Sequence, residues 1–357
     1  MEGFEVKVDP IWKHKDVVGI DIGTRTLKCV QLKKNGHKTT VVGYGQMDIP
    51  ENYITEGVIA EPEKLAQQIK DFIDQKIIGK ITAKRVYASL PESKVFTRTI
   101  SLPRSSEKDV AEAVNWDASQ TVPMAMSDLY VDWQVIDNEN NDSDLFEVLY
   151  AAAPKAIVNS YVQLYGLLGM EISGIETTLT SITRAISTYK KIKETFLVID
   201  IGSKTTNLAV CDNAIRVTES CLVGGEQLTA ILTKALNIEV ADLEKFDKEK
   251  IPAKDLGKIK EIVVDTISDI AKEATRMINY YEEKNQRKIK VTKVLLCGGS
   301  ASLPLLPDVL ADKLAIKVEV LDNLAGLNFS KKCLIPKLEM PTYIDAIGLA
   351  QIGVEND

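Results

Sequence analysis

One short phrase occurs twice in this chain and constrains its fold more than any other feature. Val18-Gly19-Ile20-Asp21-Ile22-Gly23-Thr24 returns as Val198-Ile199-Asp200-Ile201-Gly202-Ser203 roughly 180 residues later. Each copy is an apolar run that ends in Asp, Gly and a hydroxyl residue, and a second alternating run follows each. Two related halves facing each other across a cleft account for the repeat, and its chemistry points to a nucleotide in that cleft.

The surrounding pattern repeats as well. Residues 17–22 read as a buried strand, Gly23-Thr24 as a tight turn and residues 26–32 as the returning strand. Asn35-Gly36 signals a hairpin into a third strand over 38–47. The second half predicts strands over 196–201, 206–211 and 215–221, with a turn at Asp212-Asn213 and an end at Gly224-Gly225. Helical spacing marks 63–76, 156–168, 179–190 and 226–236, and one long helix is predicted over 255–288. Residues 91–153 differ in character, with strands at 95–100, 129–136 and 146–153, a helix carrying Val110, Val114 and Trp116, and an acidic loop over 137–144. They read as a small α/β subdomain inserted in the first half.

At the first loop, Gly23 lets a phosphate approach the backbone, and the Thr24 hydroxyl adds a donor. Asp21 cannot ligate an anionic phosphate directly, but it can hold a hydrated Mg²⁺ that bridges to one. Asp200, Gly202, Ser203, Lys204 and Thr205 repeat this chemistry, so two opposed hairpins can clasp phosphates with a metal between Asp21 and Asp200. A third element, the strand 293–297 running into Gly298-Gly299-Ser300, allows a flat ring or ribose to lie against the main chain.

Composition removes other chemistries. The formal charge of -7 argues against a nucleic-acid-binding surface. The five cysteines are scattered without a C-x-x-C pair, which supports neither a disulfide framework nor a zinc knuckle and suits a reducing compartment. The two histidines, His14 and His37, sit in polar segments, which argues against an imidazole-centred catalytic site. The N-terminus lacks the pattern of a signal peptide, and no apolar run is long enough to span a bilayer.

Two phosphate loops followed by a late Gly-Gly loop resemble the actin-like ATPase superfamily, which includes actin, sugar kinases, heat-shock chaperones and FtsA. Within it, the stretches VVGIDIGTRTLKCVQL, VFTRTISLP with AVNWDASQTVPMAMSDLYVDWQVI, and EATRMINYYEEK with VTKVLLCGGSASLPLL resemble the PilM family of type IV pilus assembly. The inserted segment is the most specific of these, because sugar kinases and heat-shock chaperones lack it.

The resemblance implies an α/β actin-like ATPase fold: two ribonuclease-H-like halves around a nucleotide cleft, with a small inserted subdomain in the first half. The implied divisions are an arm over 1–16, a first core subdomain over 17–90, the insert over 91–153 and a connector over 154–195. The second core then spans 196–223 and 291–325 around a subdomain at 224–290, and 326–357 returns to the first core. ATP and Mg²⁺ are the implied cofactors. Asp21, Gly23, Thr24 and Lys28 would form the first phosphate site, and Asp200, Gly202, Ser203, Lys204 and Thr205 the second. Gly225 and Glu226 would flank the nucleotide, Gly298, Gly299 and Ser300 would hold adenosine, and Asp242 and Lys245 would meet ribose and base, Asp242 being one methylene shorter than the family's Glu. Glu176, in the connector, and Asp200 are the implied catalytic groups, with Glu176 orienting the attacking water. Turnover is expected to be slow at most, since no separate arginine finger is evident beyond Arg25 in the first loop.

The implied function is a scaffold at the cytoplasmic face of the inner membrane. It would grip the N-terminal tail of a PilN-like membrane protein between the first core and the insert, contact other pilus assembly components, and self-associate. Membrane contact would come only through that partner. An FtsA-like filament former is the alternative, but the tail 347–357 reads as short and acidic rather than as a basic amphipathic anchor. A small-molecule kinase is a further alternative, and no sugar-kinase signature accompanies it.

Overall fold

Both copies of the duplicated phrase form strands whose side chains are buried on both faces, which requires a sheet covered from above and below. The computed structural model describes residues 16–103, 107–136, 145–190, 192–238, 253–285, 287–303 and 305–355. β1 (Val17–Ile22), β2 (Thr26–Asn35) and β3 (Lys38–Asp48) form an antiparallel meander. Asn35 pairs with Lys38, so the two turn residues are Gly36, at φ +60°, and His37, one position later than the Asn-Gly signal suggests. A small hairpin follows, β4 (Ile54–Thr55) and β5 (Val58–Ile59), and then α1 (Pro62–Gln75), which buries Leu65, Ala66, Ile69 and Phe72 on one stripe. β6 (Ile78–Gly79) adds to β3, and β7 (Arg85–Leu90) lies parallel to β1.

The segment between β7 and the next core strand is the insert. β8 (Phe96–Pro103), α2 (Glu107–Thr121), β9 (Leu129–Val135) and β10 (Leu145–Pro154) give a three-stranded sheet in the order β8-β10-β9. Phe146, Val148, Tyr150 and Ala152 on its inner face pack with Val110, Val114 and Ala118 of α2 in a core of their own. α3 (Lys155–Leu168) leads back to β11 (Glu171–Thr177), which lies parallel to β7, and α4 (Thr178–Lys190) follows.

The second half rebuilds this plan. β12 (Phe196–Ile201), β13 (Thr206–Asp212) and β14 (Ala214–Cys221) form the meander, followed by α5 (Gly225–Leu236), α6 (Ala253–Thr266) and α7 (Ser268–Lys284). β15 (Lys293–Cys297) lies parallel to β12, and after α8 (Leu306–Leu314), β16 (Lys317–Val320) lies parallel to β15. The orders β11-β7-β1-β2-β3 and β16-β15-β12-β13-β14 are one topology built twice. The long helix predicted over 255–288 is in fact α6 and α7, broken at Ile267. Ile267 leaves helical geometry at φ -94° and ψ 5°, while backbone hydrogen bonds from Ile267 to Val263 and from Ala271 to Ile267 carry across it.

The chain closes by returning to the first half. β17 (Leu327–Phe329) extends the sheet beside β3, and α9 (Ile344–Glu355) packs on α4, β1 and β2. α4 and α9 occupy the space between the two sheets, so one core joins Val30 and Tyr44 of the first sheet to Ile182, Ile347, Val198 and Cys297. The helices cross so closely that a Cβ at Gly348 would overlap the Ser181 carbonyl. Among the described residues no helix is long and apolar enough to cross a membrane. The ends of β1 and β12 thereby face one gap between the halves.

Candidate functional site

The two duplicated loops adopt the same turn. In the first, the Gly23 N–H donates to the Thr26 carbonyl at 2.9 Å; in the second, the Gly202 N–H donates to Thr205 at 2.9 Å. Their tips meet, Thr24 Oγ1 and Ser203 Oγ forming a hydrogen bond of 2.8 Å across the gap. Beside them Arg25 reaches Glu226 at 2.6 Å and Glu51 at 2.5 Å. The third loop backs onto the second. Gly298 sits at φ +90° where a Cβ would overlap the Ile201 carbonyl and the Asp200 carboxylate, and the Ser300 N–H donates to Ile201 at 3.3 Å. A Cβ on Gly299 would meet nothing within 4 Å, so this position opens to the gap.

Below the tips lies a cleft of about 600 Å³, in the range of small-ligand sites. The carboxylates of Asp21, Glu92, Asp200 and Asp345 line it around the Lys28 ammonium, which donates to Asp21 at 3.0 Å. Burial raises the Asp200 carboxyl to about 6; the Asn207 amide, donating at 3.1 Å, opposes the shift and the charge of Asp21 reinforces it. Burial and Asp21 also hold Asp345 well above its ordinary range, against hydroxyl donors from Ser89 at 2.9 Å and from Ser181. Burial pushes Glu92 up to about 7, although it accepts from the Leu179 N–H at 3.1 Å. Burial works to lower Lys28, but Asp21, Asp200 and Asp345 outweigh it and its pKa rises. The cleft is an acidic, partly dehydrated chamber that favours a cation.

Most of the residues singled out from sequence converge here. Asp21, Gly23, Thr24, Lys28, Asp200, Gly202, Ser203, Thr205, Gly298, Gly299 and Ser300 all line the one cleft. Gly225 and Glu226 instead stand behind the second loop, their N–H groups donating to Gly202 at 2.8 Å and Ser203 at 2.9 Å. Lys204 is exposed and does not line the cleft. Asp242 and Lys245 lie outside the described residues.

Glu176 sits on β11, and its carboxylate is held by the two terminal nitrogens of Arg184 on α4, one of them at 2.5 Å. It does not line the cleft. The cleft acids missed from sequence are Glu92, Glu339 and Asp345. Glu92 follows β7, the parallel neighbour of β1, and the carboxyl ends of parallel strands are where such sheets bind ligands. Asp345 is a lone acid in the otherwise apolar run 344–350, a signal visible in retrospect.

Two copies of one sheet topology, with matching hairpins opposed over a shared cleft, define an actin-like ATPase fold. A sequence profile of the family described as type IV pilus assembly protein PilM matches residues 19–353, and the chain belongs to that family. Among solved structures, it is similar to a chain of a PilM-PilN type IV pilus biogenesis complex, with TM-score 0.79, 22% identity, and 95% of this chain and 98% of that chain covered. The ethanolamine utilization protein EutJ from Carboxydothermus hydrogenoformans follows at TM-score 0.54 and 14% identity, covering 93% and 88%. MreB 5 of Spiroplasma citri bound to AMPPNP gives 0.51 and 12%, covering 95% of each chain.

Proposed function

We propose that this chain is an ATP-binding scaffold of the type IV pilus assembly machinery that holds the N-terminal cytoplasmic tail of a PilN-like inner-membrane protein. The observation that carries the nucleotide reading is the pair of identical turns meeting at Thr24 and Ser203 above an acidic cleft, in a member of the PilM family. The donor set fits Mg²⁺. Asp21 and Asp200 offer hard oxygen ligands, and among the described residues no group of three metal-ligating side chains forms a cage. Mg²⁺ suits such a site, because it binds through one or two carboxylates together with phosphates and water.

Bound Mg²⁺ would neutralise phosphate charge. The chain's own residues do the rest. The Thr24 and Ser203 hydroxyls are donors for phosphate oxygens, Lys28 adds positive charge, and Gly298 and Gly299 leave room for adenosine. Asp242 and Lys245 are proposed ribose and base contacts on family likeness alone. Arg25 is engaged by Glu226 and Glu51, so it is no ready arginine finger, and slow hydrolysis at most follows.

For the tail, the seam between β9 of the insert and α3 supports a peptide groove. Tyr130 is about half exposed there, and its hydroxyl donates to Asn159 at 3.3 Å. The partner would keep the protein at the cytoplasmic membrane face. Fluorescence anisotropy with a synthetic tail from the PilN-like protein of the same organism tests this: saturable binding, weakened in Tyr130→Ala, is expected. No binding of that tail with or without Mg²⁺-ATP sinks the partner reading, and phosphorylation of a sugar panel or pelleting with ATP would favour a kinase or a filament instead.

A further inference from the structure

A base lines the cleft that neither duplicated loop supplies. Lys94 ends the 3₁₀ turn Glu92–Lys94 between β7 and β8, and it stands in the cleft wall with Gly57 and Thr178. The turn is fixed, since the Lys94 N–H donates to the Pro91 carbonyl at 3.0 Å and buried Glu92 accepts from the Leu179 N–H of α4 at 3.1 Å. The stem of Lys94 runs against Gly57, where a Cβ would stand 3.0 Å from its Cγ. Its ammonium binds Glu56 of the β4–β5 hairpin.

That ion pair is suited to exchange. The Lys94 side chain is 34% exposed and that of Glu56 82%, so water screens the pair and it adds little net stability. Glu56 also stands at φ +51° beside Gly57 at φ +86°, the two central residues of the turn between Thr55 and Val58. Such turns favour Asn, Asp or Gly, so a Glu at this position carries backbone strain without improving the turn. Among the described residues, the other two bases in the cleft wall are committed elsewhere. Lys28 is held inside by Asp21 at 3.0 Å. Lys337 binds Asp322 at 3.0 Å, in the segment whose Pro341 carbonyl accepts from the Gly298 N–H.

We propose that Lys94 is a phosphate-binding residue of this cleft, its ammonium passing from Glu56 to the terminal phosphate of a bound nucleotide. This role rests on the nucleotide reading above and adds to it the group that separates ATP from ADP and AMP. A base at Gly298 and Gly299, with phosphates under the Thr24 and Ser203 hydroxyls, leaves the last phosphate facing the first-half wall, to which Ile54, Gly57, Lys94 and Thr178 belong. Charge creates the need for a cation there. The carboxyl groups of Asp21, Glu92, Asp200, Glu339 and Asp345 outnumber the ammonium groups of the wall, and a triphosphate adds more negative charge than one divalent ion cancels. A lysine on its flexible stem can follow the phosphate, and the hydrogen bond formed there is charge-assisted on both sides.

Titration calorimetry of Mg²⁺-ATP, Mg²⁺-ADP and AMP with the full-length chain tests this role. Lys94→Gln is expected to weaken ATP at least about tenfold, ADP less and AMP not at all, while Lys94→Arg keeps the parent's affinities. Glu56→Gln removes the competing carboxylate and should tighten ATP by about two- to fivefold, an effect that disappears when Lys94→Gln is added. Urea unfolding of each variant, with midpoints matching the parent's, separates these losses from damage to the fold. Equal ATP affinity in the parent and Lys94→Gln, or a loss shared evenly by ATP, ADP and AMP, overturns the role of Lys94 and leaves the nucleotide reading standing. So does Glu56→Gln that fails to tighten ATP while Lys94 is present. A parent chain that binds none of the three overturns both.

Discussion

Glu92 shows how an individual side chain records the character of the cleft. Its carboxyl lies at about 7 in the fold against an ordinary 4.5, so the folded state binds the proton more tightly than the unfolded chain. Its stabilising contribution is full below pH 4.5, declines between 4.5 and 7, and is gone above 7. Glu92→Gln removes the ionisation, so its stability relative to the parent should climb by ~2–4 kcal/mol from pH 5 to pH 8 in urea titrations. A flat difference across that interval would mean that Glu92 is not buried as a carboxylic acid. Asp200 obeys the same sign between its ordinary 3.8 and about 6, so both acids store a preference for positive charge in the cleft.

At the level of elements, α4 and α9 cross closely in the core between the two sheets. Gly348→Ala places a methyl group against the Ser181 carbonyl, and a backbone atom cannot move aside as a side-chain tip can. A loss of ~1–3 kcal/mol is expected by thermal or urea unfolding. Gly166, in α3, has open space where its Cβ would stand, and Gly166→Ala should gain ~0.5–1 kcal/mol, since only backbone entropy changes there. Equal effects at the two glycines would contradict the packing described.

The same scale shows what was legible in the sequence. Strands are written as local alternation, so β1 to β3 and β12 to β14 could be read, together with the α2-bearing insert. The break at Ile267 was hidden because apolar periodicity continues through it, with Val263, Ile267 and Ile270 in one core. The phosphate-type loops were legible because each lies within one short stretch. Asp345 and Glu92 were not, because only the return of α9 and the pairing of β7 with β1 bring them to the cleft. The Glu176–Arg184 ion pair was not legible either, because it forms between β11 and α4 only in the folded chain.

Across the whole molecule, the insert latches the halves together from the side. Arg216 on the second half holds Glu147 of the insert, and Lys284 reaches the same carboxylate at 3.3 Å. Truncating one member of a buried pair leaves its partner uncompensated, so Arg216→Ala should cost ~3–5 kcal/mol. Calorimetry should also show looser coupling between the halves, as a broadened or split transition. A single sharp transition of unchanged midpoint would mean that the insert does not latch the halves.

On the function proposed here, the duplicated loops clasp a nucleotide through a metal at Asp21 and Asp200. Asp200→Asn tests it cleanly, because burial already disfavours the charged carboxylate and an amide of the same size should leave stability intact. Titration calorimetry of ATP with and without Mg²⁺ is the direct measurement. Mg²⁺-dependent binding in the parent and a loss of at least ~tenfold in folded Asp200→Asn are predicted, whereas ATP affinity indifferent to both Mg²⁺ and the substitution would contradict the claim.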